Sequence, residues 1–140
     1  MGQQWNNPGT NWADRFNTTW ITGRVDDKAV EFANEFAEQL LAVKKEGIST
    51  SQFRNIYGEL KRIQLKGLGT ERTAFHLLLP KIAYAVKRSE TRGSKAFNEV
   101  IKKAHRAVDV EKEGSEARFK NFCDIIEALL AYHKFHGGDK

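Results

Sequence analysis

Cysteine and proline are scarce in this chain: one cysteine, Cys123, and two prolines, Pro8 and Pro80, among 140 residues. One thiol cannot close an internal disulfide, and a cysteine framework is excluded. So little proline argues against collagen-like and wholly disordered chains. Long hydrophobic runs are missing as well. No stretch approaches the ~18–20 consecutive apolar residues of a membrane span, and the N-terminus has no apolar signal-peptide core. The expected compartment is therefore the cytoplasm, with no membrane partner. Sustained polar–apolar alternation is also absent, which removes the β classes.

What the chain does have is positive charge, unevenly placed. Apolar residues make up 40% and charged residues 29%, with a formal net charge of +5 and a pI near 9.4. Residues 1–47 carry a net −2, residues 48–108 a net +9, and residues 109–140 a net −2. The whole excess lies in the middle of the chain. Such concentration is either one electropositive surface able to attract a polyanion or a solvated helical face.

Apolar residues at helical spacing predict five helices, an all-α fold and a compact five-helix bundle. The first runs from about Asp26 to Glu46, capped by Asp26 or Asp27, with Ala29, Phe32, Ala33, Phe36, Leu40 and Val43 on one stripe. The second opens on Ser49 and Gln52, an S-x-x-Q capping box, with Ile48 and Phe53 placed for a hydrophobic staple. It ends at Gly67 and Gly69. The third spans about Thr70 to Arg88 and contains Pro80, where a kink or break is expected. The fourth, capped by Ser94, reaches Val108. The fifth runs from Ser115 to Phe135 and is apolar over so wide an angle that it belongs at the centre of the bundle. Residues 26–138 thus form the helical domain. Residues 1–25, with Trp5, Trp12 and Trp20 among polar residues, are expected to be an irregular, flexible tail.

Catalytic chemistry is hard to find. His133 and His136 stand three apart and Cys123 ten before His133, but zinc needs three or four converging ligands. Cys123 lies on the apolar stripe of the fifth helix, where a packed thiol is expected. Lys66-Gly67-Leu68-Gly69-Thr70 lacks the spacing of a phosphate loop and suits a turn between helices. Glu59, Glu71, Glu90 and Glu99 are spaced as surface or capping residues and form no carboxylate pair for hydrolysis. No enzyme, metal or cofactor is expected.

The basic residues fall into rows. Lys81 and Arg88, seven apart, share a face of the third helix with Tyr84, flanked by Lys87. Arg54 and Lys61 have the same relation on the second helix, beside Arg62. Lys95, Lys102, Lys103 and Arg106 form a third row on the fourth helix. Rows of this kind bind phosphates through charge, with little sequence preference. Tyr84 is placed either to stack on a base or to pack half-buried. Arg54 is placed either for phosphate or for a hydrogen bond within the bundle. No base-reading recognition helix stands out.

Three stretches carry a family resemblance. Ile48-Ser49-Thr50-Ser51-Gln52-Phe53-Arg54-Asn55-Ile56-Tyr57 is one. Leu79-Pro80-Lys81-Ile82-Ala83-Tyr84-Ala85-Val86-Lys87-Arg88 is the second. The third is Glu127-Ala128 followed by Ala131-Tyr132-His133-Lys134-Phe135-His136-Gly137-Gly138. In this order they resemble the small subunit of the type III-A CRISPR effector, the Csm ribonucleoprotein. Leu79 departs from the lysine often found before the proline, and Lys87 from a common glycine. The resemblance implies a non-catalytic subunit in RNA-guided antiviral defence. It implies binding to the backbone of CRISPR guide RNA and target RNA, contacts with the backbone and large subunits, and self-association along a filament. The residues expected to bind RNA are Lys81, Arg88, Arg54, Lys87, Lys61 and Arg62 from the basic rows, with Lys134 and His133 from the third stretch. A helix C-terminus also favours cations structurally at the last two. The alternative is a basic helical protein-interaction module that meets an acidic partner without touching RNA.

Overall fold

The computed structural model describes residues 11–42, 50–88 and 91–137, the side chains of residues 41, 42, 50, 88 and 92 excepted. Every regular element among the described residues is a helix: α1 (Trp12–Arg15), α2 (Thr19–Thr22), α3 (Asp27–Ala42), α4 (Thr50–Lys66), α5 (Arg72–Arg88), α6 (Arg92–Val108) and α7 (Ser115–Phe135). The all-α class holds. The helices number seven among the described residues, where the sequence predicts five, because α1 and α2 form within the stretch expected to be an irregular tail.

The reason is local and tertiary at once. Trp12, Phe16 and Trp20 recur every fourth residue, and all three are buried together with Ile21. They close on Phe32 and Phe36 of α3. Trp12 stacks on Phe36 at 5.0 Å, and Phe16 meets Trp20 and Phe32 edge-on at 5.2 and 5.6 Å. Asn11 caps α1, its Oδ1 accepting from the Ala13 and Asp14 amides at 3.0 and 3.2 Å. Asn17 Oδ1 accepts from the Thr19 amide at 3.0 Å, two residues on. Helices of one turn do not stand alone in water, so docking holds them. Lys103 Nζ donates to the Ala13 carbonyl at 2.8 Å and Asn121 Nδ2 to the Ile21 carbonyl at 2.9 Å, which ties the segment to α6 and α7. Arg15 lies over the Trp12 ring at 4.4 Å and pairs with Glu35.

The longer helices follow their expected stripes. Asp26 caps α3 through its Oδ1, which accepts from the Ala29 amide at 3.0 Å. The Ser49 capping box and the Ile48 staple lie outside the described residues. Gly67 ends α4 with φ of 94°, a conformation that glycine adopts without a Cβ penalty. Helix α5 passes through Pro80 without the break that is one of the two expected outcomes. Pro80 and His76 are both exposed, so the carbonyl that proline leaves without a donor faces water. The cap of α6 is a correction. Thr91, not Ser94, is its N-cap. Thr91 Oγ1 accepts from the Ser94 amide and Ser94 Oγ from the Thr91 amide, both at 2.9 Å.

Helix α7 is central, as its broad apolar surface predicts. It packs against α2, α3, α4 and α6. Phe75 of α5 meets its Phe119 and Phe122 edge-on at 5.4 and 5.7 Å. The turn between α6 and α7 is organised by Arg118. Its guanidinium donates to the carbonyls of Val108 at 2.7 Å, Lys112 at 2.8 Å, Glu113 at 3.0 Å and Asp109 at 3.2 Å. That side chain satisfies carbonyls which the end of α6 would leave open.

Candidate nucleic-acid interface

Helix α5 is the element that organises the basic surface. Phe75, Leu78, Ile82 and Val86 turn inward and anchor it. The same 3.6-residue period leaves Leu77, Lys81, Tyr84 and Lys87 outward. Its flanks pack against α4 on one side and α6 on the other, and each flank forms a groove.

The groove between α4 and α5 has a volume of about 320 Å³. Ile56, Leu78 and Ile82 line its apolar part, and Glu59 and Lys81 its polar part. Lys81 Nζ stands 3.9 Å from the Glu59 carboxylate. Glu59 is held more closely by Arg62, at 2.9 Å, and Arg62 also reaches Glu71 at 3.1 Å. The hydrogen bond from Arg62 lowers the Glu59 pKa, with smaller help from the charges of Arg62 and Lys81 and against some desolvation. Arg62 is raised in turn, first by its hydrogen bonds to Glu59 and Glu71. Arg62, one of the residues expected to bind RNA, bridges Glu59 of α4 and Glu71 at the start of α5. Its guanidinium is taken up by two carboxylates.

The groove between α5 and α6 has a volume of about 310 Å³ and a different character. Lys87 of α5 faces Lys95 and Lys102 of α6 across it, with Asn98 and Glu99 between the two α6 lysines. Residues 95, 98, 99 and 102 follow helical spacing, so one face of α6 presents all four. Three lysines against one glutamate leave this groove electropositive.

The eight residues expected to bind RNA therefore have different fates. Lys81 and Lys87 are exposed on α5, but they serve the two different grooves. Arg54 and Lys61 are exposed on α4. Lys61 hydrogen-bonds to Gln64 at 3.3 Å and lies 5.8 Å from the Tyr57 ring. The Arg88 side chain lies outside the described residues. Lys134 is exposed on the last turn of α7. His133 is corrected: it is fully buried, its ring 4.8 Å from Phe53. It sits four residues past Leu129 on the inward stripe of α7, and it is a core residue. Lys103 of the third basic row is likewise drawn to the Ala13 carbonyl. Lys95, Lys102 and Asn98 were not among the eight. Lys95 and Lys102 belong to the third basic row, and Asn98 lies between them at i+3, but only the packing of α6 on α5 brings Lys87 opposite.

Tyr84 departs from one of its two expected roles. It is 68% exposed, so it does not pack half-buried. The remaining chemistry is muted. Cys123 is buried and its thiol is pushed up to about 12 by desolvation, which keeps it protonated and poorly nucleophilic at neutral pH. Among the described residues no three His, Cys, Asp or Glu side chains converge to hold a metal ion. No described helix is long and apolar enough to cross a membrane.

A protein-family model described as Csm2 Type III-A matches residues 24–139. The chain belongs to the Csm2 type III-A family. The protein is thus a small subunit of the type III-A CRISPR complex, and membership implies association with other Csm subunits. No curated protein and no solved structure matches the chain. The family match covers α3 to α7 with both grooves and begins after α2.

Proposed function

We propose that this Csm2-family subunit binds the sugar–phosphate backbone of target RNA and of the guide–target duplex through the outward face of α5 and its flanking grooves. The observation that carries this reading is the cluster of Lys87, Lys95 and Lys102 on one groove, with Lys81 on the same helix as Lys87. Ammonium groups on flexible stems suit phosphates and displace counterions, whatever the base sequence. Guide–target pairing then carries the sequence information, and the bundle reads charge and shape. The subunit acts without cutting RNA. It takes part in antiviral defence in the cytoplasm, beside the backbone and large subunits, and repeats along a filament. Repetition multiplies weak single contacts into useful avidity.

The test is RNA affinity across a salt series for the wild type, Lys87→Ala/Lys95→Ala/Lys102→Ala and Lys81→Ala/Arg88→Ala. Each lost phosphate contact should lower the log–log salt slope by roughly 0.7–0.9. The triple variant should thus lose about 2 units, and Lys112→Ala in the α6–α7 turn none. Folded variants with an unchanged slope would refute the assignment. RNA affinity lost in none of them, with capture of an acidic protein that resists nuclease, would favour the protein-interaction module instead.

A further inference from the structure

The outward face of α5 holds more than charge. Tyr84 is 68% exposed, and Leu77, seven residues before it on the same face, is 48% exposed. A ring exposed to this extent presents most of its surface to solvent. Its immediate neighbours on the face are Lys81, three residues before, and Lys87, three residues after. On an α-helix the two lysines stand about 9 Å apart along the axis, with the tyrosine midway. A ring bracketed by two cations one turn away on either side is the arrangement that holds a nucleotide. The base lies on the ring, and the phosphates on its two sides meet the ammonium groups. Base stacking needs an open π-face. Inside a duplex both faces of a base are covered by its neighbours, so this ring has no partner there.

We infer that Tyr84 is a stacking residue for an unpaired RNA base, with Lys81 and Lys87 holding the flanking phosphates, so that this face prefers single-stranded RNA to a continuous duplex. The inference rests on the RNA-binding reading above and deepens it. The contact is indifferent to base identity, because every base presents a π-face. Leu77 extends the apolar strip by two turns and offers room for a sugar or a second base edge. The charge complementarity of the lysines selects RNA over an apolar protein surface as the occupant.

The experiment uses the full chain and two probes, an unstructured single-stranded RNA and the same RNA annealed into a blunt duplex. Affinities are measured across a salt series for the wild type, Tyr84→Ala, Tyr84→Leu and Tyr84→Phe. Tyr84→Ala and Tyr84→Leu should weaken single-strand binding about 5- to 100-fold with the salt slope unchanged, the size expected for one stacked base. Tyr84→Phe should retain wild-type affinity, since it keeps the ring, and duplex binding should stay constant throughout. The inference is overturned by single-strand affinity that survives Tyr84→Ala, by equal losses on the duplex, or by full rescue with Tyr84→Leu. It is also overturned if Tyr84→Ala leaves RNA affinity intact but releases the chain from the other subunits. A wild type with no salt-dependent RNA affinity overturns the backbone-binding reading and this inference together. A normal slope with no Tyr84 effect overturns this inference alone.

Discussion

Phe16→Ala is the sharpest probe of how the N-terminal segment is held. Phe16 is 1% exposed and sits between Trp20 and Phe32, with ring centroids at 5.2 and 5.6 Å. Truncating a buried phenylalanine removes its transfer free energy and leaves a cavity, together about 3–5 kcal/mol. The lower end applies here, because α1 and α2 are short and can shift into the space. About 3 kcal/mol is a large part of the ~5–15 kcal/mol by which a domain is stable. It corresponds to a fall in Tm of about 10 °C for a chain this long. The assay is urea unfolding followed by far-UV circular dichroism and by tryptophan fluorescence, with Thr22→Ala as an exposed control in the same segment. The control should stay within about 0.5 kcal/mol of the wild type. If the segment undocks instead, the fluorescence transition separates from the circular-dichroism transition and the m-value falls, since less surface remains to be exposed. A double-mutant cycle with Phe32→Leu should show a coupling on the order of 1 kcal/mol between the two rings. Phe16→Ala that costs no more than Thr22→Ala, with coincident transitions and no coupling, would refute the docked segment.

Arg118→Ala should cost about 1–2 kcal/mol, below the sum expected for four charged hydrogen bonds because the outer carbonyls regain water. Arg118→Lys should recover little, since one ammonium cannot span the carbonyls that a planar guanidinium reaches; urea midpoints of the two variants check both statements. His105 gives a pH signature. Its Nε2–H donates to the Phe75 carbonyl at 2.7 Å while the ring stacks on Phe75 at 3.9 Å. Burial lowers its pKa below 6.5, against the pull of that hydrogen bond. The unfolded chain therefore takes up the proton first, so stability is full above about 6.5 and falls as pH drops towards the folded value. His105→Gln should flatten that fall in urea titrations between pH 8 and about 5, and a slope equal to the wild type's would contradict it.

Much of this was legible in the residues themselves. The inward stripe of α7 at Phe119, Phe122, Ile126 and Leu129 announces a central helix, because only contact on several sides can cover so wide an apolar surface. Asp26 as a cap and Gly67 as a stop are local choices that the chain expresses without tertiary help. Two expectations differ from the structure, one for a local reason and one for a tertiary reason. Ser94 is the cap that the fourth helix suggests, yet Thr91 stands three residues earlier with its own hydroxyl, and the two share a box. The third stretch implies that His133 binds RNA, whereas its depth depends on where Phe53 of α4 comes to rest.

The sequence by itself determined the helical class, the middle segment as the seat of positive charge, and, through three short stretches, the family. Helical periodicity, composition and motif are properties of neighbours along the chain. Tertiary structure alone decided which cations share a surface. It brought Glu71 onto Arg62, drew Lys103 onto the Ala13 carbonyl, set Lys87 opposite Lys95 and Lys102, and left Tyr84 largely exposed. Each of these outcomes depends on which helices pack side by side. A charge counts for binding or for architecture according to how closely a carboxylate or carbonyl holds it: Arg62 and Lys103 are held at 2.8–3.1 Å, whereas Lys81 stands 3.9 Å from Glu59.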